Sequence, residues 1–312
     1  MTQSNFIEQL ESRQLLSAVT TATASFSGST LTIKGLKNTA LNVTVVPETT
    51  AADVNGNTTA TGNLLITFSG TDIPTTVGKG LILVANPPAG TFQEILPAGA
   101  AGVGKLKTIK VTGSKVADSV QVDIGTTIQS GGNASAIPAV APTATHATVA
   151  TKNNAKLKAI INTQAGADTI TGGDQIDQIN AGDDNDTVVG SGGKDVVHGG
   201  NGDDSINYGS VLVGGVPTPV NSDGVKIFGD SGNDSVIGGS GNDSLDGGSG
   251  DDSLAGGGGA DKITGGSGND TLNGGPDAGD VADSDTLKGN SGSDTFISDS
   301  NDKVFTDKND VV

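Results

Sequence analysis

GGSGNDSLD (Gly238–Asp246), GGSGDDSLA (Gly247–Ala255), GGGGADKIT (Gly256–Thr264) and GGSGNDTLN (Gly265–Asn273) stand end to end in the second half of the chain. Each is nine residues long, with Asp at its sixth position and Leu or Ile at its eighth. The same register extends outward. Five nonapeptides run unbroken from Thr163 to Asn207, five from Gly229 to Asn273, and two from Asp280 to Ile297. In all twelve the sixth residue is Asp and the eighth is Ile, Val, Leu or Phe. A fixed period of this kind marks a solenoid, in which each repeat buries its one apolar side chain against its neighbours. A disordered acidic tail would share the composition but not the phase.

The remaining composition narrows what such a chain can be. Of 312 residues 49 are Gly and 3% are aromatic, with one Tyr, one Met and no Trp. Large apolar side chains are too sparse for an ordinary two-layer core, so the fold must be thin and stabilised by more than its apolar spine. The absence of Cys removes disulfides, thiolate nucleophiles and Cys-ligated zinc together. No run of 18 apolar residues occurs, so no membrane span is expected. A net charge of −18 repels phosphate and argues against nucleic acid as a partner. That charge is concentrated. Residues 1–150 hold 8 acidic and 8 basic side chains, whereas residues 151–312 hold 27 Asp, 9 Lys, no Glu and 34 of the glycines. Carboxylates offered only as the short Asp, set among glycines, read as rigid ligands in tight turns.

The nonapeptide pattern G-G-x-G-x-D-x-U-x, with U apolar, resembles the hemolysin-type calcium-binding (RTX) repeat. The resemblance covers about 163–297 and is tightest in 229–273. It loosens at the start, where Gln164 replaces the second glycine and Gln175 and Asp184 the fourth. It implies an all-β fold, a right-handed parallel β-roll or β-solenoid in which each nonapeptide makes one turn and one short strand. It also implies Ca²⁺ as the cofactor. Elementary chemistry agrees: glycines at positions two and four admit positive φ, which lets backbone carbonyls turn toward a common centre. Asp at position six adds a short anionic oxygen, and an all-oxygen set suits Ca²⁺ better than a transition metal.

Alternate turns of such a roll fall on opposite edges, so an ion between turn n and turn n+2 pairs aspartates eighteen residues apart. The candidate metal ligands are therefore Asp168, Asp186 and Asp204 on one edge, with Asp177 and Asp195 opposite. Further along, Asp234, Asp252 and Asp270 share one edge and Asp243 and Asp261 the other, followed by Asp285 and Asp294. Backbone oxygens of Gly200, Gly202, Gly239, Gly241, Gly248, Gly250, Gly257, Gly259, Gly266 and Gly268 complete the set. The expected apolar spine is Ile170, Ile179, Val188, Val197 and Ile206, then Val236, Leu245, Leu254, Ile263 and Leu272. Such a spine is too thin to offset chain entropy and carboxylate repulsion by itself. The tract is expected to fold on calcium.

Two interruptions break the period. Between Asn207 and Gly229 lie an insertion, Tyr208–Pro219, expected as a loop or hairpin, and a degenerate repeat, Val220–Phe228. The latter keeps Ile227 at position eight but carries Val225 where Asp belongs. A second bulge, Gly274–Gly279, is expected ahead of the repeat bearing Asp285. Residues 19–130 hold short β-branched runs such as Leu31–Leu36, Leu41–Val46 and Leu106–Gly113, separated by Gly, Asn or Pro. Gly113, Asp118 and Val120 there keep a repeat-like spacing. We read 19–130 as a β-rich domain of degenerate solenoid coils, with a small separate sandwich as the other reading. Residues 131–155 read as an Ala/Thr/Pro-rich linker or loop, and 156–312 as the roll with its C-terminal cap.

Residues 1–18 hold Leu10–Leu16, LESRQLL, which resembles the LEPR-XLL motif of many large exported bacterial proteins, with Ser12 in place of Pro. Asp310-Val311-Val312 is similar to the acidic-then-apolar tail of type I secretion substrates. Both resemblances imply an extracellular, secreted or cell-surface location. No catalytic residue is assigned: His146 falls in the linker, His198 takes an outward ninth position, and neither G-x-S-x-G nor H-E-x-x-H occurs. The leading expectation is a secreted calcium-binding structural or adhesive protein whose partner is a surface or matrix polysaccharide or protein. The alternative is a polysaccharide-active β-helix enzyme, lyase- or epimerase-like, with a calcium-stabilised roll.

Overall fold

In the computed structural model, residues 22–27, 29–36, 40–49, 60–69, 82–83, 91–96, 106, 108–122, 158–173, 176–190, 192–213, 216–219, 223–275 and 284–312 are described. The LEPR-XLL-like segment, His146 and the linker 131–155 lie outside them. Every regular element among the described residues is a β-strand.

Two long sheets form the body. The first stacks, in order, Thr23–Ser27, Thr30–Lys34, Thr108–Thr112, Lys158–Asn162, Ile176–Asp183, Val196–Asn201, Lys226–Ser231, Ser244–Ser249, Lys262–Ser267, Thr286–Ser291 and Lys303–Phe305. The second runs Thr295–Ile297, Thr271–Asn273, Ser253–Gly257, Ser235–Gly239, Ser205–Asn207, Thr187–Val189, Thr169–Thr171, Ser119–Val122, Asn42–Thr49, Ala60–Ser69, Thr91–Leu96 and Ile82–Leu83. From Lys158 onward, successive strands of the body alternate between the sheets, and their pairings are parallel. This is an all-β parallel β-roll.

The nine-residue period explains the roll directly. A strand's side chains alternate faces, so position eight of each nonapeptide points inward while seven and nine point out. In the first sheet Ile179, Val197, Ile227, Leu245, Ile263 and Leu287 stand in one line of paired residues. In the second the line is Ile170, Val188, Ile206, Val236, Leu254, Leu272 and Phe296. All of these side chains are buried in one apolar cluster, which includes every residue of the expected spine. One large apolar inward side chain in each regular repeat makes that cluster narrow.

The described N-terminal strands lie on the same two sheets with mixed pairing. Thr30–Lys34 runs parallel to Thr108–Thr112, and that strand parallel to Lys158–Asn162, so Ile33, Val111 and Ile161 prolong one apolar line. Asn42–Thr49 runs parallel to Ser119–Val122, which places Val43 beside Val120. The remaining N-terminal pairs are antiparallel: Thr23–Ser27 turns back on Thr30–Lys34, Asn42–Thr49 pairs with Ala60–Ser69, that strand with Thr91–Leu96, and Thr91–Leu96 with Ile82–Leu83 at the sheet edge.

Both interruptions sit inside turns, and their boundaries differ from the sequence expectation. Tyr208 belongs to the coil: its N–H donates to Ile237 O, as the N–H of Gly190, which opens the turn of Asp195, donates to Asn207 O. The insertion proper follows it and contains an antiparallel hairpin of Ser210–Val213 against Val216–Pro219. Likewise Gly274 and Gly275 are the first two residues of the turn that carries Asp285, not part of a bulge before it. Gly274 N–H donates to Ile297 O, and a Cβ on Gly274 would run into Asp285 Oδ2. The extra residues lie within that turn because its end, at Asp285, is fixed by a ladder of aspartates along the edge of the roll.

Candidate metal centre

The sixth-position aspartates are buried along both edges of the roll, each 0–4% exposed. Their burial follows from a hydrogen-bond ladder. The Oδ1 of one Asp accepts the backbone N–H of the Asp one coil earlier, as in Asp234 N–H to Asp252 Oδ1 at 2.8 Å and Asp252 N–H to Asp270 Oδ1 at 2.9 Å. On the first edge this chain of acceptors is unbroken from Asp118 through Asp168, Asp186, Asp204, Asp234, Asp252, Asp270 and Asp294 to Asp310. On the opposite edge Asp177 N–H donates to Asp195, and the series resumes from Val225 N–H through Asp243, Asp261 and Asp285 to Asp302. The edge sets expected from eighteen-residue spacing are the sets the ladder joins.

The second carboxylate oxygen has a different environment. Oδ2 of Asp168, Asp186, Asp204, Asp234, Asp243, Asp252, Asp270 and Asp294 is buried and accepts no hydrogen bond. Buried carboxylate oxygens without a donor are costly, and natural structures rarely leave them so. In the regular turns such an oxygen packs over the first residue of its own turn. A Cβ on Gly247 would collide with Asp252 Oδ2 and lie 2.7 Å from Gly265 O of the next coil. Gly229, Gly238 and Gly256 repeat that arrangement with Asp234, Asp243 and Asp261. An anionic oxygen and a stacked carbonyl oxygen therefore crowd the same cradle.

Positions two and four complete the turn. Gly248 and Gly250 have φ of 103° and 128°, conformations closed to most side chains, and the carbonyls of Asp230 and Gly232 press against them. Among the glycines expected to supply carbonyl oxygens, Gly200, Gly202, Gly239, Gly257, Gly259, Gly266 and Gly268 also have positive φ. Gly241, stacked on Asp223 of the degenerate repeat, does not. Where the motif departs from glycine the backbone keeps its course: Gln164, Asp184, Asp230 and Asn290 adopt φ of 73–80°. Gln175 lies outside the described residues.

The protein by itself makes these carboxylates costly to ionise. Burial pushes the carboxyls of Asp168, Asp186, Asp243 and Asp252 from 3.8 up to about 7, against the lowering effect of the backbone N–H each accepts. The same cause brings Asp204, Asp234 and Asp270 up to about 6. Among the described residues no three acidic, His or Cys side chains converge on one point. A cation in these turns must therefore take backbone carbonyls alongside carboxylates. An all-oxygen set of that kind fits Ca²⁺.

Several residues of this architecture were not among the expected ligands. Asp118, Asp302 and Asp310 end the ladders, and their second oxygens do accept donors. Asp118 Oδ2 takes Ser114 N–H at 2.6 Å, while its Oδ1 takes the Ser114 hydroxyl at 2.8 Å and Leu41 N–H at 2.6 Å. Asp302 Oδ2 takes Asp299 N–H, and Asp310 Oδ2 takes Asp307 N–H. Asp118 carries a sequence signal, the Gly113–Val120 spacing. Asp302 and Asp310 follow Asp285 and Asp294 by 17 and 16 residues, which falls short of two nonapeptides. His198 stands outward as expected, stacked on Phe228 with ring centroids 4.6 Å apart and its Nδ1 2.9 Å from Asp230 Oδ2.

Comparison with known families agrees with this geometry. A family model described as the RTX calcium-binding nonapeptide repeat (4 copies) matches residues 162–197, 180–210, 226–254, 246–281 and 281–302. No curated protein matches the chain.

Proposed function

We propose, from the RTX calcium-binding nonapeptide repeats matched over residues 162–210 and 226–302, that this is a secreted structural or adhesive protein whose roll folds on extracellular calcium. The observation that carries this reading is the set of eight buried Oδ2 atoms with no donor, repeated turn after turn beside backbone carbonyls. In the proposal those oxygens, on Asp168, Asp186, Asp204, Asp234, Asp243, Asp252, Asp270 and Asp294, hold the ions together with the carbonyls of the turn glycines. Asp177, Asp195, Asp261 and Asp285 belong to the same columns. Bound calcium supplies the positive charge that offsets carboxylate repulsion along each edge.

The chain's own part is to preorganise the oxygens. The Oδ1 ladder fixes each carboxylate, the glycines let the carbonyls turn inward, and the spine keeps the two edges apart. Modules of this class outside cells bind at roughly 10⁻⁴–10⁻³ M, so a cytosolic chain stays unfilled while an exported one fills its turns. A cysteine-free chain needs no oxidation step to lock on arrival. A partner that is a polysaccharide or protein of the cell surface or matrix fits an acidic scaffold of this kind.

Circular dichroism during EDTA treatment and Ca²⁺ back-titration tests the reading. The expected result is loss of most β signal in EDTA and its return with calcium, since a ligand bound only by the folded state stabilises it by mass action. A β spectrum indifferent to EDTA would sink it.

A further inference from the structure

Tyr208, the only tyrosine, is fully buried although it lies where the roll loses its period. It takes the first position of a turn, a place held by glycine in most repeats. The turn it opens is the one with Val225 in place of Asp. Its ring does not point away from the roll. At Gly190, which opens the turn of Asp195 one coil earlier, the atoms nearest to an added Cβ are Cε1, Cζ and Cδ1 of Tyr208. At Gly199, Gly229, Gly238, Gly247, Gly256, Gly265, Gly274 and Gly289 the nearest atom is instead the Oδ2 of the turn's own aspartate. The phenol ring thus fills the cradle that elsewhere holds the carboxylate oxygen, and the carboxylates of Asp195 and Asp177 are its charged neighbours.

The two departures from the motif match each other. The next carboxylate in the column is missing because position six is Val225, which is itself buried at 1%. The Oδ1 ladder on this edge stops at Asp195 and resumes at Asp243. The ring, with its hydroxyl beside the Asp195 carboxylate, and the apolar Val225 fill the volume of a cation and its second ligand in the same coil. The adjoining chain leaves the coil here as a hairpin, Ser210–Val213 against Val216–Pro219.

We propose that Tyr208 is a built-in substitute for calcium: its ring closes the site between the Asp195 and Val225 turns and divides that edge into two separate banks of ions. This rests on the calcium reading of the other turns. One bank is the Asp177–Asp195 pair; the other begins at Asp243 and runs through Asp261 and Asp285. The opposite edge has no such break, so its column is continuous past the hairpin.

The test compares calcium stoichiometry by equilibrium dialysis for the full chain, Val225→Asp, and Tyr208→Gly/Val225→Asp. The double substitution restores the motif and is expected to bind one ion more than the parent; Val225→Asp alone is expected to gain none, because the ring still fills the cradle. A gain by Val225→Asp alone, or no gain by a folded double variant, would overturn the proposal. A second readout needs no variant. Tyrosine emission of the parent comes from Tyr208 alone, so acrylamide should quench it in EDTA and hardly at all in calcium. Equal quenching in both, with the β signal present in calcium, would also overturn it. A parent that binds no calcium at all would instead refute the underlying function.

Discussion

Asp118 and Asp252 occupy the same place in the same kind of turn, at the end and in the middle of one ladder. Each has a glycine five residues earlier whose added Cβ would meet its Oδ2. Each accepts, on Oδ1, a backbone N–H from the preceding coil or segment, Leu41 for Asp118 and Asp234 for Asp252. They differ in the second oxygen. Ser114 satisfies that of Asp118 with its N–H, whereas nothing in the protein satisfies that of Asp252. The C-terminal ladder ends, Asp302 and Asp310, resemble Asp118. In the proposed reading the protein closes the turns of Asp118, Asp302 and Asp310 with its own donors and leaves that of Asp252 open to a cation. Between the turns of Asp118 and Asp252 the backbone course is the same and the donor to Oδ2 differs.

The largest difference between the two regions is expected from truncating each carboxylate. Asp252→Ala should remove a ligand and leave Asp234 N–H buried without an acceptor, so calcium binding in that column should weaken at least roughly tenfold and the melting temperature in calcium should fall. Asp118→Ala should cost roughly 2–5 kcal/mol through the orphaned Ser114 and Leu41 donors, with the number of bound ions unchanged. Calorimetric titration with thermal melts separates the two. Loss of calcium sites in Asp118→Ala would erase the distinction.

Acidity sharpens the same contrast. In the metal-free fold the middle carboxyls titrate at about 6 to 7, above the unfolded value of 3.8. The folded metal-free state therefore holds protons that the unfolded chain has released. Its stability contribution is full below about 3.8 and is lost as pH rises through about 6 to 7. In EDTA the roll should be most structured near pH 4 and least near pH 8. With calcium the dependence reverses, because protons compete for the same Oδ2 atoms and affinity should fall below about pH 7. Circular dichroism across pH, with and without calcium, checks both signs. A metal-free roll more ordered at pH 8 than at pH 4 would contradict the burial of uncompensated carboxylates.

The roll is legible in the sequence for the same reason that its middle and ends differ. One Asp and one apolar residue per nine fix both the ladder and the spine, and neither depends on anything distant in the chain. Counting alone places Asp252 and Leu254. The ends are harder because they replace the repeat's own chemistry with local substitutes. Ser114 reaches both oxygens of Asp118 only once the turn is folded, and the shorter steps to Asp302 and Asp310 break the count. Counting also puts Tyr208 and Gly274 in insertions, because the extra residues fall inside turns, where the period carries no information about which side of the gap a residue belongs to. The cradle over the first glycine has no signal of its own. Positions two and four advertise positive φ, whereas position one is glycine for want of space rather than for backbone freedom.

That difference between glycines can be tested directly. Gly247→Ala should be strongly disruptive, since its Cβ must displace Asp252 Oδ2 and meets the backbone at Gly265 O, 2.7 Å away. Overpacking of this kind costs about 1–3 kcal/mol, here with weaker calcium binding added. Gly258→Ala, at position three, meets nothing closer than 3.7 Å. It should be neutral or stabilise by about 0.4–1 kcal/mol through the unfolded chain. Melting temperatures of the two variants in calcium give the comparison, and equal losses would remove the cradle from the explanation.

The smallest effect is expected at Asp246, an aspartate in the same repeat as Asp243 but at position nine. Its side chain leaves the outer face of the first sheet and is half-buried rather than enclosed. Burial and the charge of Asp230 raise its carboxyl somewhat, and Lys262 on the neighbouring strand lowers it. It belongs to neither ladder. Asp246→Ala should therefore leave calcium stoichiometry unchanged and shift stability by no more than about 0.5 kcal/mol, as surface substitutions do. Its partner in the comparison is Asp252→Ala, one turn on, and the same calorimetric titration reads both. Equal calcium loss in the two would mean that acidic charge as such, spread over the roll, attracts the ions. Loss in Asp252→Ala alone would assign them to the turns, where position six differs from position nine by facing a cradle of oxygens instead of water.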